Sequence, residues 1–527
     1  MQHWFEIKKS EELGRYLVAT KDIPARTVIL REKPMVCGPA DYDQNEELGS
    51  IPMCLGCFTR LVDDPDSRCS SCGWPVCGEN CEQIAYHAEN ECELFTKNEI
   101  VFPPPHQWPI SNKSILILRC YLLKTKRPDF FKDLLQFEDH NDIRKKKQYC
   151  INGDAMVLEN MKYFLKDPDL ELSEDEADEF LRISGIINVN AFTTMKEAQQ
   201  RVTIVQCMFA IASLFAHSCV PNANWSIGDP PDLTMTIRTA MSIKKGEMIT
   251  IPYSVRDNLC GTLQRLISTE DVAHFSCKCP RCEDPTEFGT AVSGIKCPTP
   301  SCQGYLLPVT SSDVNSVWKC RKIDGTPGDK EEEDVTTPCE FSAPVRRIVP
   351  ILNKVDTRIE MIKKDFESLD KNEEIVFEAL LMSLESLRED CEKIFHKNHY
   401  LIQEICLFII KKRSKGFDML GLRELEVVIN HCEYLLEIAN VLNPGYSGHR
   451  AMLQFYLSRA LHFKARQLKI LQEEKLMMGE ERENEHGEIL PLEDISKCGQ
   501  IISELDSQIE ALQREAFLYF DFDPDED

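Results

Sequence analysis

Closely spaced cysteines constrain the fold of this chain more than any other feature of its sequence. Eight candidate metal ligands fall within about forty residues: Cys54, Cys57, Cys69, Cys72, Cys77, Cys81, His87 and Cys92. Pairs at such short spacing are typical of zinc ligands, and eight of them suffice for two tetrahedral sites. A segment this small buries little apolar surface, so bound metal would supply much of its folding energy. The sequence therefore predicts a zinc finger at residues 50–97.

Two further groups of cysteines follow later in the chain. Cys277, Cys279 and Cys282 supply three ligands, one short of a closed zinc site. A second group contains four cysteines, as many as a zinc ribbon uses. Because a long gap precedes its last member, two alternatives stay open, a zinc ribbon and four unliganded thiols. Its members are Cys297, Cys302, Cys320 and Cys339.

The ends of the chain and its apolar runs bear on the compartment. The first residues lack the apolar core of a signal peptide, and the longest apolar runs are far shorter than a bilayer span. We therefore expect an intracellular protein without membrane contact, in the cytoplasm, the nucleus or both. Thiols stay reduced there, which favours metal ligands over disulfides.

The composition is that of a globular protein whose surface repels nucleic acid. Of 527 residues, 43% are hydrophobic and 28% charged, and the formal net charge is −26. Residues 50–95 alone carry two arginines against eight carboxylates. Such a surface repels a phosphate backbone, so we expect no direct DNA binding and a finger that contacts proteins.

Hydrophobic periodicity gives a coarse secondary structure. We expect strands at 13–19 and 28–30, helices within 98–184, β character at 186–192, a helix-like run at 205–215, a strand at 233–237, and helices from about 345. The helical region is interrupted by turns at 396–400 and 442–445. The basic run 144–147 fits a solvated helix face better than a nuclear signal.

Three motifs together resemble a known family. They are Ala216-His217-Ser218-Cys219-Val220-Pro221-Asn222, the segment Gly246–Tyr253, and Cys277-Lys278-Cys279-Pro280-Arg281-Cys282. In this order they resemble the core of a SET-domain lysine methyltransferase with its post-SET zinc site. The finger narrows the resemblance to the SET–MYND family. The segment Val189-Asn190-Ala191-Phe192 and the cysteines after Cys282 resemble the insect SmydA branch of that family.

The resemblance implies a multidomain α+β fold and a monomer. In this fold a SET β-structure is split by a MYND zinc finger and a helical insert, then followed by a post-SET zinc region and an all-α domain similar to tetratricopeptide repeats. The implied boundaries are 1–49 for the first part of SET, 50–97 for the finger, 98–184 for the helical insert, 185–256 for core SET, 257–344 for the post-SET region with the candidate ribbon, and 345–527 for the C-terminal helices.

The resemblance also implies how the metal ligands divide. Cys54, Cys57, Cys77 and Cys81 would hold one zinc ion, and Cys69, Cys72, His87 and Cys92 a second. Cys219 would complete the site of Cys277, Cys279 and Cys282. The implied total is three zinc ions, and four if the ribbon forms.

Residues for the methyl donor, S-adenosylmethionine, are implied in the same way. They are Gly14, Arg15, Tyr16, His140, Asn190, Ala216, His217, Tyr253 and Phe275. Phe192 would line the channel for the substrate lysine, and Tyr253 would be catalytic.

The implied function is a protein-lysine methyltransferase that uses S-adenosylmethionine on a histone or another protein, with a role in transcriptional regulation. Three positions depart from the family pattern: Tyr16 replaces a turn glycine, Ala216 replaces an asparagine, and Ala273 replaces an aromatic residue of the substrate channel. These departures support an alternative of another class. In it the chain is a weakly active or inactive adaptor that recruits protein partners through its finger and helical repeats.

Overall fold

The chain folds into two compact units. The computed structural model describes residues 4–40, 52–62, 64, 66–103, 111–165, 172–198, 201–254, 259–323, 339–369, 373–478 and 498–520. The first unit comprises Met1–His217, Asn222–Tyr253 and Ser268–Phe275, and the second comprises Ser218–Pro221, Ser254–Ile267 and Ser276–Asp527. The six-part division expected from the sequence stays a prediction.

Short strands form the framework of the first unit. They are β1 (Phe5–Ser10), β2 (Gly14–Ala19), β3 (Val28–Glu32), β4 (Val36–Pro39), β5 (Phe192–Ala198), β6 (Arg201–Met208), β7 (Ala216–His217), β8 (Ala223–Ile227), β9 (Met235–Thr239) and β10 (Thr250–Ile251). They pair as the β1-β2 hairpin, the antiparallel sheets β3-β9-β8 and β4-β6-β5, and the parallel pair β7-β10. Gly14 begins β2 with φ 63°, a conformation that glycine adopts at little cost.

Eight helices are described in the first unit. They are α1 (Glu79–Glu82), α2 (Ala85–Ala88), α3 (Glu91–Asn98), α4 (Asn112–Lys126), α5 (Pro128–Leu134), α6 (Asn141–Arg144), α7 (Gln148–Phe164) and α8 (Glu174–Asn190). Helix α4 is buried along 114–120 and packs closely on β4. A Cβ on Gly38 of β4 would lie 2.9 Å from the Cβ of Leu116, so the glycine permits this contact. The helices expected within 98–184 are therefore present.

Two of the expected elements were wrong in type. Residues 186–190 are the end of helix α8 and not a strand. The helix is favoured at its start by a capping box, in which Ser173 and Glu176 each accept a hydrogen bond from the other's backbone N–H. The run 205–215 was expected to be helical, but its first part belongs to β6. Strand β6 pairs with β4 at one edge and β5 at the other, and its buried residues 204, 205, 207 and 208 lie on both faces, so its apolar residues do not alternate.

The second unit joins a small sheet to a set of long helices. Its described strands are β11 (Ile295–Lys296), β12 (Tyr305–Pro308), β13 (Val317–Arg321) and β14 (Ser342–Pro344), antiparallel in that order. After α9 (Thr262–Val272), whose residues from 268 belong to the first unit, come α10 (Pro280–Glu283), α11 (Val345–Glu367), α12 (Glu374–Ile394), α13 (Tyr400–Arg413), α14 (Leu422–Leu442), α15 (Gly448–Met478) and α16 (Cys498–Phe520).

The helical character predicted from residue 345 onward is confirmed, and so are the two turns. Helix α12 ends at Ile394 and α13 begins at Tyr400, while α14 ends at Leu442 and α15 begins at Gly448. Sheet and helices share one apolar core, to which Trp318 contributes from the sheet. Among the described residues, no helix is both long and apolar enough to cross a membrane.

Candidate functional site

The first three predicted donor residues begin strand β2. Arg15 donates from Nη2 to the carbonyl of Gln136 at 3.1 Å, and its guanidinium lies 5.1 Å from the ring centroid of Phe137. A cation at this distance from an aromatic face is attracted to it. Gly14 is exposed, and Tyr16 is half-buried. The hairpin thus brings Arg15 to the segment 136–140.

The same segment collects two more predicted donor residues. The side-chain amide of Asn190 donates to the carbonyls of Glu138 and Ile186, both at 2.8 Å. Both of its N–H groups are therefore used, and its Oδ1, which bonds no residue described by the structure, is left as an acceptor. His140 lies in the segment itself, and its ring centroid is 5.9 Å from that of His274.

Ala216 and His217 form β7, which is fixed by its parallel pairing with β10. Thr250 lies opposite Ala216, and Ile251 lies opposite His217. Asn222 strengthens this junction, since its Oδ1 accepts a hydrogen bond from the backbone N–H of Thr250 at 2.8 Å. The asparagine at the end of the His-Ser-Cys motif therefore holds β10 in place.

Tyr253 follows β10 and is bound to the chain on both sides. Its backbone N–H donates to Nδ1 of His217 at 3.1 Å, and its hydroxyl donates to the carbonyl of Phe215 at 3.0 Å. The rings of His217, Tyr253 and Phe275 form a triangle with centroid separations of 5.1, 6.1 and 6.2 Å. Tyr253 is nevertheless 41% exposed, so its ring is accessible to a ligand.

The predicted channel residue lies in the core. Phe192 is 8% exposed and packs edge-on against the rings of Phe209 and Trp225, with centroids 5.8 and 5.1 Å away. Ala273, which stands where the family has an aromatic residue, is also buried. A lysine channel lined by Phe192 stays a prediction.

The structure gathers the first four finger cysteines into one group. Cys54, Cys57, Cys77 and Cys81 have their sulfurs within 4.8 Å of one another, with 3.1 Å between Cys77 and Cys81 and 3.6 Å between Cys57 and Cys77. Zinc–sulfur bonds of about 2.3 Å place tetrahedral sulfurs about 3.8 Å apart. Backbone N–H groups of Cys57 and Cys77 donate to the sulfur of Cys54, which favours a thiolate. This group fits one zinc ion.

A second group in the finger contains the predicted histidine. Its ligand atoms lie within 4.8 Å of one another and belong to Cys69, Cys72, His87 and Cys92. The sulfurs of Cys69 and Cys92 are 3.8 Å apart, and Nε2 of His87 is 3.7 Å from the sulfur of Cys72. His87 thus presents Nε2 toward the sulfurs, as a ligand would.

A buried charge pair supports this histidine from behind. Glu91 lies 2.8 Å from Nδ1 of His87 and accepts hydrogen bonds from Arg119 at 2.5 and 2.7 Å, with all three side chains at most 1% exposed. Burial raises the pKa of Glu91, but Arg119 and His87 lower it by more, so the carboxylate is charged. A carboxylate on the far nitrogen fixes the tautomer and raises the basicity of a ligating histidine. Arg119 also donates to the carbonyls of Cys37 and Leu55, which ties α4 to the finger and to β4.

In the second unit, Cys219 joins the three post-SET cysteines. The sulfurs of Cys219, Cys277, Cys279 and Cys282 lie within 4.8 Å of one another, with 3.6 Å between Cys219 and Cys282. The ligand that was missing from the local sequence is therefore supplied by the His-Ser-Cys motif. These four thiols fit a closed tetrahedral zinc site.

Three buried charged residues stand behind the post-SET group. Arg265 donates from Nη2 to the sulfur of Cys282 at 3.5 Å and from Nη1 to Glu287 at 2.7 Å, and Arg281 donates to the same carboxylate at 2.9 Å. Burial raises the pKa of Glu287, but the charges of Arg265 and Arg281 outweigh it and lower the pKa to about 2. A zinc ion with four thiolates has a net charge near −2, which the two arginines partly offset.

The candidate ribbon cysteines also converge. The sulfurs of Cys297, Cys302, Cys320 and Cys339 lie within 4.8 Å of one another in the second unit. Every metal-ligand group proposed from the sequence is thus gathered in space, and the metal itself stays a prediction.

The sequence analysis missed the charged residues behind these groups. Glu91 had a local signal, because it follows His87 by only four residues, across the short turn between α2 and α3. Arg119 is 28 residues from Glu91, and Arg265 is 22 residues from Glu287. No local pattern links residues so far apart.

Comparison with known proteins relates the chain first to a class of domain and then to a family. The family model "SET domain" matches residues 14–254, a range that holds β2, the eight candidate finger ligands, helices α1–α8 and Tyr253. Nearly half of the chain therefore matches a SET domain.

Its relatives include a SET domain-containing protein, a histone-lysine methyltransferase and a SET and MYND domain-containing protein. SET domain-containing protein SmydA-8, isoform B, of Drosophila melanogaster is 29% identical over 315 residues, which are 58% of this chain and 64% of that protein. Histone-lysine N-methyltransferase ASHR1 of Arabidopsis thaliana is 25% identical over 56% of this chain and 59% of its own length. A SET and MYND domain-containing protein of Dictyostelium discoideum is 23% identical over 64% of this chain and 98% of its own length.

These matches confirm the resemblance to the SET and MYND domain-containing family and to its SmydA-like branch. The chain spans less than two thirds of the length of the SmydA-8 and ASHR1 proteins that it matches.

Proposed function

We propose that this protein is a protein-lysine methyltransferase that uses S-adenosylmethionine. The observation that carries the proposal is the position of Tyr253 inside the SET domain, with its hydroxyl on the Phe215 carbonyl and its ring beside His217 and Phe275. A hydroxyl fixed in this way is oriented before a substrate arrives, which lowers the cost of aligning the reacting groups.

The residues around the site fit the donor. Oδ1 of Asn190 is an acceptor suited to the donor's ammonium group, and Phe275 offers an aromatic face for the adenine. Gly14, Arg15, Tyr16, His140, Ala216 and His217 are proposed to complete the site. S-adenosylmethionine supplies an activated methyl group when bound.

The protein's task is to present a neutral lysine. A free lysine has a pKa near 10.4, so it is protonated at neutral pH and has no lone pair for attack. A narrow, dry channel disfavours the ammonium form and so lowers that pKa. Tyr253 would then orient the amine, and Phe192 would help to exclude water.

Zinc is proposed to be structural in this protein. The two finger groups and the post-SET group would each hold one ion with four protein ligands, which leaves no position open for a substrate. The metal would therefore hold the finger and the post-SET segment in shape and would take no part in methyl transfer.

The substrate is proposed to be a lysine of a histone or of another protein. The acidic finger and the C-terminal helices would bind protein partners, and no direct DNA binding is expected because the net charge is −26. We also propose a monomer that acts within the cell, in the cytoplasm, the nucleus or both, with a role in transcriptional regulation.

A second candidate, the adaptor, is favoured by one specific observation. Ala216 occupies β7 at the position where the family has an asparagine, so an amide is missing from the proposed donor site. A site that lacks a polar contact can bind its ligand much more weakly. In that case the SET domain would serve as a scaffold for the finger and the helices.

Donor binding separates the two candidates. Calorimetry should detect weak binding of S-adenosylmethionine to the natural chain, and tighter binding to Ala216→Asn, because one more hydrogen bond is worth about 0.5–1.5 kcal/mol. Ala155→Asn, which makes the same substitution at an exposed position of α7 in the first unit, controls for nonspecific effects. Absence of binding by the natural chain at millimolar donor would exclude the enzyme, and binding by the Ala216→Asn chain alone would identify an adaptor.

Catalysis is tested by removing a single oxygen atom. Tyr253→Phe should lower methyl transfer from labelled donor to protein by on the order of 10²-fold, because the orienting hydroxyl is lost. Tyr149→Phe is the matched control, since Tyr149 is an exposed tyrosine whose hydroxyl donates to the Asp271 carbonyl. Equal rates for Tyr253→Phe and the natural chain would remove Tyr253 from the mechanism.

A further inference from the structure

We propose that Cys297, Cys302, Cys320 and Cys339 hold a fourth, structural zinc ion in the second unit. This inference is independent of methyl transfer. The sulfurs of Cys297 and Cys339 are 3.3 Å apart and those of Cys302 and Cys320 are 3.6 Å apart, with all four within 4.8 Å of one another. A disulfide needs about 2.05 Å, whereas sulfurs on one tetrahedral zinc ion lie about 3.8 Å apart.

The backbone around the cluster leaves room for its sulfurs. Gly304 is buried, and a Cβ built on it would lie 2.5 Å from the sulfur of Cys320, closer than real Cβ atoms come. The N–H of Gly304 also donates to the sulfur of Cys302 at 3.4 Å. One glycine therefore clears space for one ligand and donates a hydrogen bond to another.

A hydroxyl group completes the surroundings. The Thr299 oxygen lies 3.4 Å from the sulfur of Cys297 and 3.5 Å from that of Cys339. Its O–H can donate to either thiolate, which stabilises the charged form that zinc requires. The chemistry involves no redox step: one Zn²⁺ replaces four thiol protons, which pass to solvent.

The positions of the four cysteines define what the metal would do. Cys297 and Cys302 lie between β11 and β12, Cys320 lies in β13, and Cys339 lies shortly before β14. One ion would therefore tie the β11–β12 connection to strand β13 and to the segment before β14. Trp318 and Leu306 from the same sheet are buried in the core shared with the helices, so loss of the ion should loosen this part of the second unit.

Four protein ligands also limit the metal's role. A zinc ion with four cysteines has no open position for water or substrate, so the site is structural. Soft thiolates favour zinc over magnesium or calcium, which bind oxygen ligands.

Metal counting on the full chain tests the proposal. Plasma emission spectrometry, with zinc referred to sulfur, should show one zinc ion fewer per chain in Cys320→Ser than in the natural protein. Equal zinc in the two proteins would overturn the proposal. So would mass-spectrometric mapping of Cys297–Cys339 and Cys302–Cys320 disulfides in protein purified without reductant.

Two glycine variants test the same proposal if the cysteine variant fails to fold. Gly304→Ala retains every thiol but crowds Cys320, so it should lose one zinc ion at a chelator concentration that leaves the natural protein fully loaded. Gly416→Ala is its control in the same unit, because a Cβ there meets nothing within 4 Å. Identical zinc retention by the two alanine variants would contradict the proposed site.

Discussion

The post-SET group and the ribbon group both collect four cysteines in the second unit, but they are supported differently. Three cysteines of the post-SET group, Cys219, Cys277 and Cys282, are at most 2% exposed, and buried arginines stand behind them. In the ribbon group Cys302 and Cys339 are half-buried, and neutral groups, the Thr299 hydroxyl and the Gly304 N–H, contact its sulfurs.

The difference follows from the environment of the charge. A zinc ion with four thiolates has a net negative charge, and an uncompensated charge away from water is costly. The buried post-SET group therefore needs Arg265 and Arg281, which in turn need Glu287 between them. The ribbon group reaches water through two of its cysteines, and neutral donors suffice there. The burial of the four cysteines thus determines whether charged or neutral residues must surround them.

The largest effect should come from Glu287. In Glu287→Gln the buried arginines lose the charge that separates them, and we expect the free energy of unfolding to fall by about 3–5 kcal/mol. Denaturant unfolding measures this. Glu283→Gln removes an exposed carboxylate nearby and should change stability by no more than about 0.5 kcal/mol. A loss below 1 kcal/mol in Glu287→Gln would mean that the post-SET group does not depend on this network.

A smaller effect is expected from Arg265→Lys. Lysine keeps the charge but cannot bond Glu287 and the Cys282 sulfur at once, so one zinc ion should pass to a competing chelator at about 10–100-fold lower chelator concentration. Arg388→Lys, at an ion pair with Glu385 and Glu392 on the helical part, should leave zinc retention unchanged. Unchanged retention in Arg265→Lys would break the proposed link between burial and cationic support.

The smallest effect is expected in the ribbon group. Thr299→Val keeps the shape of the side chain but removes its hydroxyl, worth about 1 kcal/mol as a neutral hydrogen bond, so zinc affinity should fall about fivefold. Chelator competition again gives the value, with the exposed Thr310→Val as reference. If Thr299→Val weakened zinc as much as Arg265→Lys, the two groups would not differ in the way their burial implies.

Sequence patterns went furthest where the relevant residues are close in the chain. Helical periodicity predicted the C-terminal region and its turns, cysteine spacing predicted metal ligands, and the resemblance to the SET–MYND family predicted how the finger and post-SET ligands divide. They failed at 186–190 and 205–208, where an apolar run fits a buried helix and a buried strand equally well. Only the position of β6 between two other strands decided the second case.

The sequence by itself determined the metal-ligand sets, the SET-type motifs and the helical C-terminal region, because these depend on local spacing or on family motifs. The tertiary structure alone decided what surrounds the ligands. Arg119 reaches Glu91, Arg265 reaches Cys282, and Gly304 clears space for Cys320 across separations of 28, 17 and 16 residues. Such contacts arise when distant segments pack into one core, and no spacing rule along the chain encodes them.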